Sequence, residues 1–352
     1  MTDTQEQRPE PAGAVDETRR EAVREHLRTH LAPSDIAARY ALPLVWGIVC
    51  LFFSVLPATS DTFPTTGNFS TIFGSQAIIV VLTLGLLVPL TTGDYDLSVA
   101  YNLTLSSMVL AVLNANHHWP IGWAILAALG SSVAVGVVNG AFVIIFGIDP
   151  FIVTLGTGTF VYGIVLWISD SNTISGVSQS LVNKVIVDQF LGIPICFYYG
   201  LAIAAIIWYV FEFTPLGRRL LIVGRGRNVA RLSGLNVNRI RWGALIASGF
   251  ISGVAGVLYA GTTGAADPSS GSQLLLPAFA AAFLGATTIM PGRFNPWGAL
   301  IAVYFLVTGI TGLQLAGVQS FVTQLFYGGA LVLAVALSQI ARRREAIQVG
   351  TG

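Results

Sequence analysis

The chain has 352 residues, 54% of them hydrophobic and only 10% charged, and its mean hydropathy is +0.72. Soluble domains carry about 25% charged residues, so a water-facing surface cannot be built from this composition, which predicts an all-α polytopic membrane protein. A formal net charge of +1 leaves no domain-wide positive field and excludes a nucleic-acid partner.

Residues 1–38 form a polar segment whose opening, MTDTQEQRPEPAGAVDETRR, predicts no cleavable signal peptide. Within it Val23, Leu27 and Leu31 fall four apart on one stripe with charges on the other faces. That spacing predicts an amphipathic helix on the inner membrane surface, or one that docks a partner. His26 and His30 share a face of it, a solvated face being the ordinary reading and a metal pair the rarer one.

A span needs about 20 apolar residues. Six candidates precede residue 214: 40–58, 74–92, 97–116, 120–146, 151–169 and 193–213. Four follow residue 241: 242–263, 276–290, 297–313 and 319–340, the eighth span being short. The transmembrane domain is therefore 39–341, followed by a polar tail at 342–352.

The basic residues orient these spans. Of 18 Lys+Arg, six lie in 1–39, seven in 214–241 (Arg218, Arg219, Arg225, Arg227, Arg231, Arg239, Arg241) and three in the tail. Basic flanks mark the cytoplasmic side, which predicts both termini and the 214–241 loop inside and an even number of spans on either side of that loop. Ten spans satisfy the parity, with Arg293 inside and Lys184 alone outside.

Several chemistries are absent. Lys184 is the one lysine, so a phosphate loop of the form GxxxxGK[ST] cannot exist. The string Gly224-Arg225-Gly226-Arg227-Asn228-Val229 lacks the third glycine of a dinucleotide fingerprint. Cys50 and Cys196 sit in apolar stretches without metal-ligand neighbours and read as buried side chains. No catalytic constellation and no metal site is expected.

Polar residues at membrane depth are candidates for function. Asp94 and Asp96 interrupt two spans in TTGDYDLSVA, where Asp96 either caps the next helix or faces a wet cavity. Asn102 and Asn139 lie within spans, as bridges between helices or as substrate contacts. The pairs Gly136/Gly140 and Gly249/Gly253 have the spacing of closely packed helices. Oppositely oriented Leu-Gly…Thr strings at 155–157 and 284–287 hint at an inverted repeat. In the arginine loop, Asn228 can cap a short helix through Ala230, Arg231 and Leu232 that ends at Gly234.

The stretch GRRLLIVGRGRNVARLSGLNVNRIRWGALIASGFISGVAGVLYAG closely resembles the signature loop and following helix of ribose-type ABC sugar importer permeases. GDYDLSVA, NGAFVIIFGIDPFIVTLGTGTF and AFLGATTIMPGRFNPWGALIAVYFLVTGITGL agree with the same family, in order, through most of residues 70–340. The resemblance implies a ten-helix subunit that pairs with a second copy, binds cytoplasmic ATPase subunits and receives sugar from an extracytoplasmic binding protein. ATP and Mg would belong to the ATPase subunits, with no cofactor on this chain. It implies that Gly224, Asn228, Ala230, Arg231, Gly234 and Asn236, with Arg227 among them, form the ATPase-coupling loop. It also puts Asp96, Leu97, Ser98, Asn139, Phe151, Thr154 and Gly156 near the translocation path, to which Asp94 and Asn102 are added here.

Two departures stand out. The family usually reads GGxDLSVG, whereas here Thr92 and Ala100 replace glycines and Asp94 adds an acid; the loop carries Arg225 and Arg227 around Gly226. The expected function is import of a monosaccharide, with ribose or xylose as examples, powered by separate ATPase subunits. The alternatives are another solute (nucleoside, autoinducer or branched-chain amino acid) and a proton-coupled carrier using Asp94 or Asp96.

Overall fold

A computed structural model describes the backbone of residues 33–350 and the side chains of 39–336. The proposed amphipathic helix at 15–31, with His26 and His30, lies outside the described residues. Thirteen helices organise the described chain: α1 (Pro33–Val55), α2 (Thr66–Ser75), α3 (Ala77–Thr91), α4 (Val99–Ala111), α5 (Ile121–Ile144), α6 (Pro150–Ile168) and α7 (Ile195–Phe213), then α8 (Pro215–Arg225), α9 (Arg227–Leu232), α10 (Val237–Thr263), α11 (Ser270–Gly285), α12 (Pro296–Leu315) and α13 (Phe321–Gly350). A short helical turn, Gln179–Val182, sits in the connection between α6 and α7. Every expected span overlaps a helix, though not with the same bounds. Six segments (Thr66–Thr91, α5, α6, α7, α10 and α12) are long and apolar enough to cross a membrane, while Arg39–Val55, α11 and Phe321–Ala336 are shorter apolar helices.

Helix α3 is the axis of the bundle, because all 15 of its residues are buried. A helix apolar on every face is stable only inside other helices, and α10, α11, α7 and α12 pack around it. On one flank α1 lies against α12, where the Trp46 indole N–H donates to Thr308 Oγ1 at 3.0 Å. Pro150 sits at the first helical position of α6, where its missing N–H costs nothing, and the Asp149 carboxylate accepts from the Phe151 N–H (2.9 Å). Helix α4 continues into a π-helical turn over Val112–Asn116, closed by the His117 N–H on the Val112 carbonyl.

The eighth expected span requires correction. The helix runs from Ser270 to Gly285, not from 276 to 290. Its C-terminal end is set by packing: a Cβ on Gly285 would collide with the backbone of Gly298 and Ala299. The Asn295 side chain then donates to the Gly285 and Thr288 carbonyls, holding 286–295 as a turn.

The two glycine pairs meet as their spacing predicts. Gly249 of α10 lies against Gly136 and Ser132 of α5, so the two backbones touch along a seam. Two short antiparallel pairings were not visible beforehand: Ile174–Ser175 with Ala265–Ala266, and Gln189–Phe190 with Ile193–Pro194.

Contacts sort the connections into two ends. At one end the Ser178 N–H donates to Asn114 Oδ1 and the Gly176 N–H to the Gly264 carbonyl. At the other, the 92–98 turn meets the arginine loop, and the Ile289 N–H donates to the Arg39 carbonyl.

Candidate functional site

The arginine loop folds into a helical elbow. Thr214 caps α8 by accepting from the Gly217 N–H, and Pro215 occupies its first position. Helix α9 follows after one residue. Asn228 is not its cap, contrary to expectation: Gly226 holds that position in extended backbone, and Asn228 falls inside the first turn. The helix therefore begins two residues earlier than expected, at Arg227, which is held by the ion pair described below.

The C-terminal end of α9 behaves as expected. Gly234 adopts φ +80°, its N–H donates to the Arg231 carbonyl (3.0 Å), and the Leu235 N–H donates to Ala230 (3.1 Å). This paired closure is a Schellman motif, which needs the left-handed residue that glycine supplies. Asn236 then caps α10 by accepting from the Arg239 N–H at 3.1 Å. Buried Ala230 packs with Val223 and Val237, so α8, α9 and the start of α10 share a small core of their own. Gly224 lies where a Cβ would strike the Thr91 carbonyl, bringing α8 flush against the end of α3. Outward, α9 exposes Val229 (64%) and Leu232 (90%), with Arg231 also exposed.

Asp94 ties this elbow to the bundle. Its side chain is fully buried and accepts a two-pronged contact from Arg241, Nε to Oδ2 at 2.8 Å and Nη2 to Oδ1 at 2.7 Å. Arg227 Nη2 reaches the same Oδ1 at 2.7 Å and the Gly93 carbonyl at 3.3 Å. Thr92 Oγ1 donates to Oδ2 at 3.2 Å. Arg241 was not singled out from the sequence; the signal was the acid itself, since a buried carboxylate requires a cationic partner. The two departures from the family pattern, the extra Asp94 and the extra Arg227, are in contact with each other.

Two residues on, a second network begins. Asp96 Oδ1 accepts from the Ser98 N–H (3.0 Å) and Oγ (2.6 Å), and Oδ2 accepts from Ser248 Oγ of α10 (2.8 Å). The Asn139 amide of α5 donates to Ser98 Oγ at 2.8 Å, and its carbonyl accepts from Thr157 Oγ1 of α6 at 2.5 Å. Thr154 Oγ1 accepts from the Leu97 N–H at 3.0 Å. Asn102 donates to the Ser132 and Gly249 carbonyls, both at 3.2 Å, joining α4 to α5 and α10. Asp94, Asp96, Ser98, Asn102, Asn139 and Thr154 are thus all buried, in the Asp94 cluster, the Asp96 network and the separate Asn102 bridge. Ser248 and Thr157 belong to the Asp96 network and were missed, because isolated hydroxyls in apolar runs give no signal of their own.

Phe151 and Gly156 lie elsewhere. They sit on the outer face of α6, Phe151 at 48% exposure and Gly156 with open space where a Cβ would be. Tyr95, at the apex of the acid-bearing turn, is also exposed and stacks on Phe283 of α11. Among the described residues no His/Cys/Asp/Glu group could hold a metal ion.

Comparison with known proteins decides the family. A family profile described as the permease component of a branched-chain amino acid transport system matches residues 68–335. The D-allose transport system permease protein AlsC of Escherichia coli (strain K12) is 33% identical over 293 residues, covering 83% of this chain and 89% of the relative. The chain belongs to the ABC importer permease family. This permease is also similar to a ribose import permease, RbsC of Bacillus subtilis (strain 168), at 31% identity over 83% of the chain and 90% of the relative. It is also similar to the L-arabinose ABC transporter permease protein AraH of Azospirillum brasilense, at 29% over 86% and 90%. As a permease of this kind it is a multi-pass protein of the inner membrane, and ATP hydrolysis lies with separate subunits.

Proposed function

We propose that the chain is the membrane subunit of an ATP-driven importer for a monosaccharide, with a pentose as the first candidate. Its ten apolar helices would cross the bilayer with both termini on the cytoplasmic side. That orientation is supported by the segregation of the arginine loop and Arg293 to one end and Lys184 to the other. The relatives named for allose, ribose and arabinose support a sugar rather than an amino acid. The site agrees chemically: the buried carboxylates are taken up by arginines or hydroxyls. A neutral polyol needs hydroxyl and amide partners and aromatic faces, not a free counter-charge.

One observation carries the mechanism: the elbow and the acid-bearing turn share the Asp94 carboxylate. The exposed Val229 and Leu232 of α9 form the surface that a cytoplasmic ATPase subunit would grip. Displacement of α9 would pull Arg227, hence Asp94, hence the turn that carries Tyr95, Asp96 and Ser98. Through Ser98 and Thr154 that motion would reach α5 and α6. The outer face with Phe151, Gly156 and Tyr95 would line the path against a second copy of the chain. An extracytoplasmic binding protein would deliver the sugar at the opposite end.

The test is affinity co-purification from native membranes of the chain and its Leu232→Asp variant, paired with uptake assays. Leu232 touches little within the protein, so the variant should insert and fold while losing its ATPase partner and uptake. A chain that moves solute in proteoliposomes without ATP, or a variant that keeps full uptake, would overturn the reading.

A further inference from the structure

Beside the elbow lies a cleft of about 420 Å³, between the connection joining α5 to α6 and the first turns of α9 and α10. Pockets of about 300–1,000 Å³ accommodate small ligands. Its polar wall is formed by Arg227, Arg231, Arg241, Asn238 and Asp149. Asp149 spends one carboxylate oxygen on the Phe151 N–H, and among the described residues neither it nor Arg231 forms an ion pair. Asp94, buried behind the wall, answers both Arg227 and Arg241.

The charge count is therefore three guanidiniums against two carboxylates, which leaves room for one further negative charge. A planar guanidinium fork is the natural partner of a phosphate oxygen pair. The lip of the cleft is apolar: Ile145 (65% exposed) and Phe146 (67% exposed) flank the same connection. A basic recess at the membrane boundary, edged by side chains that favour hydrocarbon, fits an amphiphile with an anionic head and acyl tails.

We propose that this cleft binds a phosphodiester group, supplied by an anionic phospholipid whose single headgroup charge balances the one positive charge that the two carboxylates leave over. The bound headgroup ties the α5–α6 connection to the elbow at a position distinct from the exposed Val229 and Leu232 face. Membrane composition then influences how firmly the elbow is held.

The experiment measures retention of phosphatidylglycerol against phosphatidylcholine by the purified full chain, using native mass spectrometry, with inorganic phosphate tested separately for its effect on the thermal midpoint. Two variants accompany the wild type. Arg231→Gln removes the unpaired cation. Asn238→Asp adds a negative charge to the cleft at a first-turn position of α10 where an acid favours the helix. Preferential retention of phosphatidylglycerol, weakened about fivefold in each variant, supports a lipid headgroup. A phosphate-dependent rise in midpoint that needs Arg231, without lipid preference, supports the anion site and assigns it to a soluble phosphate. Equal retention of both lipids, or unchanged phosphatidylglycerol retention in both variants, with no phosphate effect, overturns the proposal. Loss of an ATPase subunit from both variants with lipid retention intact overturns it as well, making the cleft a protein-docking surface.

Discussion

Arg241 and Asp94, 147 residues apart in sequence, form a two-pronged ion pair in which the carboxylate is fully buried and the guanidinium side chain is 9% exposed. The pair joins the base of α10 to the turn between α3 and α4. Arg227 adds a third member from the wet side, with 38% of its side chain exposed.

These exposures predict an order of effects. Asp94→Asn leaves Arg241 buried without its counter-charge, and breaking such a pair costs about 3–5 kcal/mol. Arg227→Gln removes a solvent-screened member and should cost about 1 kcal/mol or less. Thermal unfolding of the detergent-solubilised chain, followed by tryptophan fluorescence, checks the ranking. A larger loss for Arg227→Gln would show that the elbow, not the α10 base, depends on Asp94.

The seam between α5 and α10 gives a steric prediction. A Cβ on Gly249 would sit 2.8 Å from the Ser132 carbonyl oxygen and 3.2 Å from the Gly136 Cα. Gly249→Val should therefore push the helices apart at a cost of about 1–3 kcal/mol, as overpacking does. Gly130→Val, on the same helix as Gly136 but with open space around it, should stay within about 0.5 kcal/mol of wild type. Equal melting temperatures for the two variants would argue against close packing along the seam.

Asp267 makes the acid response of the opposite end predictable. The carboxylate accepts from Ser269 Oγ and N–H, both at 2.6 Å, and from Thr173 Oγ1 at 3.2 Å. The Ser269 bonds hold its pKa below the usual aspartate value, and Thr173 adds to this. A depressed folded pKa means that the stabilisation is present above the unfolded value, about 3.9, and is lost as pH falls through the folded value. Acidification below about pH 4 should then loosen the pairing of Ile174–Ser175 with Ala265–Ala266. Hydrogen exchange at the Gly176 and Val177 amides, corrected for intrinsic rates, should accelerate there in the wild type. In Asp267→Asn the acceleration should be absent, and its persistence would assign the pH response to another group.

What the sequence made legible follows from how strong each local signal is. Long apolar runs locate the helices because hydrocarbon tolerates little else, and arginine clusters sort the two ends because their charge cannot cross. The GxxxG spacing announced the α5–α10 seam, and Gly234 announced the end of α9, since each depends only on residues a few positions apart. The position of α11 was hidden: its C-terminal end is fixed by contact of Gly285 with Gly298 and Ala299, a partner from the next helix. The cap of α9 was misread as well: the helix begins at Arg227, whose partner Asp94 is remote in sequence. The candidate acids were found, but not what holds them. Ser248 and Arg241 come from a helix separated from them by well over a hundred residues.

That long separation bears on how the protein is made. Asp94 leaves the ribosome well before Arg227 and Arg241 exist, and Asp96 well before Ser248. Until that part of the chain is synthesised, Asp94 has Thr92 but neither arginine and Asp96 has Ser98 but not Ser248, and a carboxylate without a cationic partner is costly at membrane depth. The turn that carries them therefore gains its cationic partners and its bridge to Ser248 only when the arginine loop and α10 arrive, so the second half of the chain completes the packing of the first. A nascent chain arrested before residue 237 should accordingly leave Asp94 open to water-borne reagents, whereas arrest beyond α10 should close it.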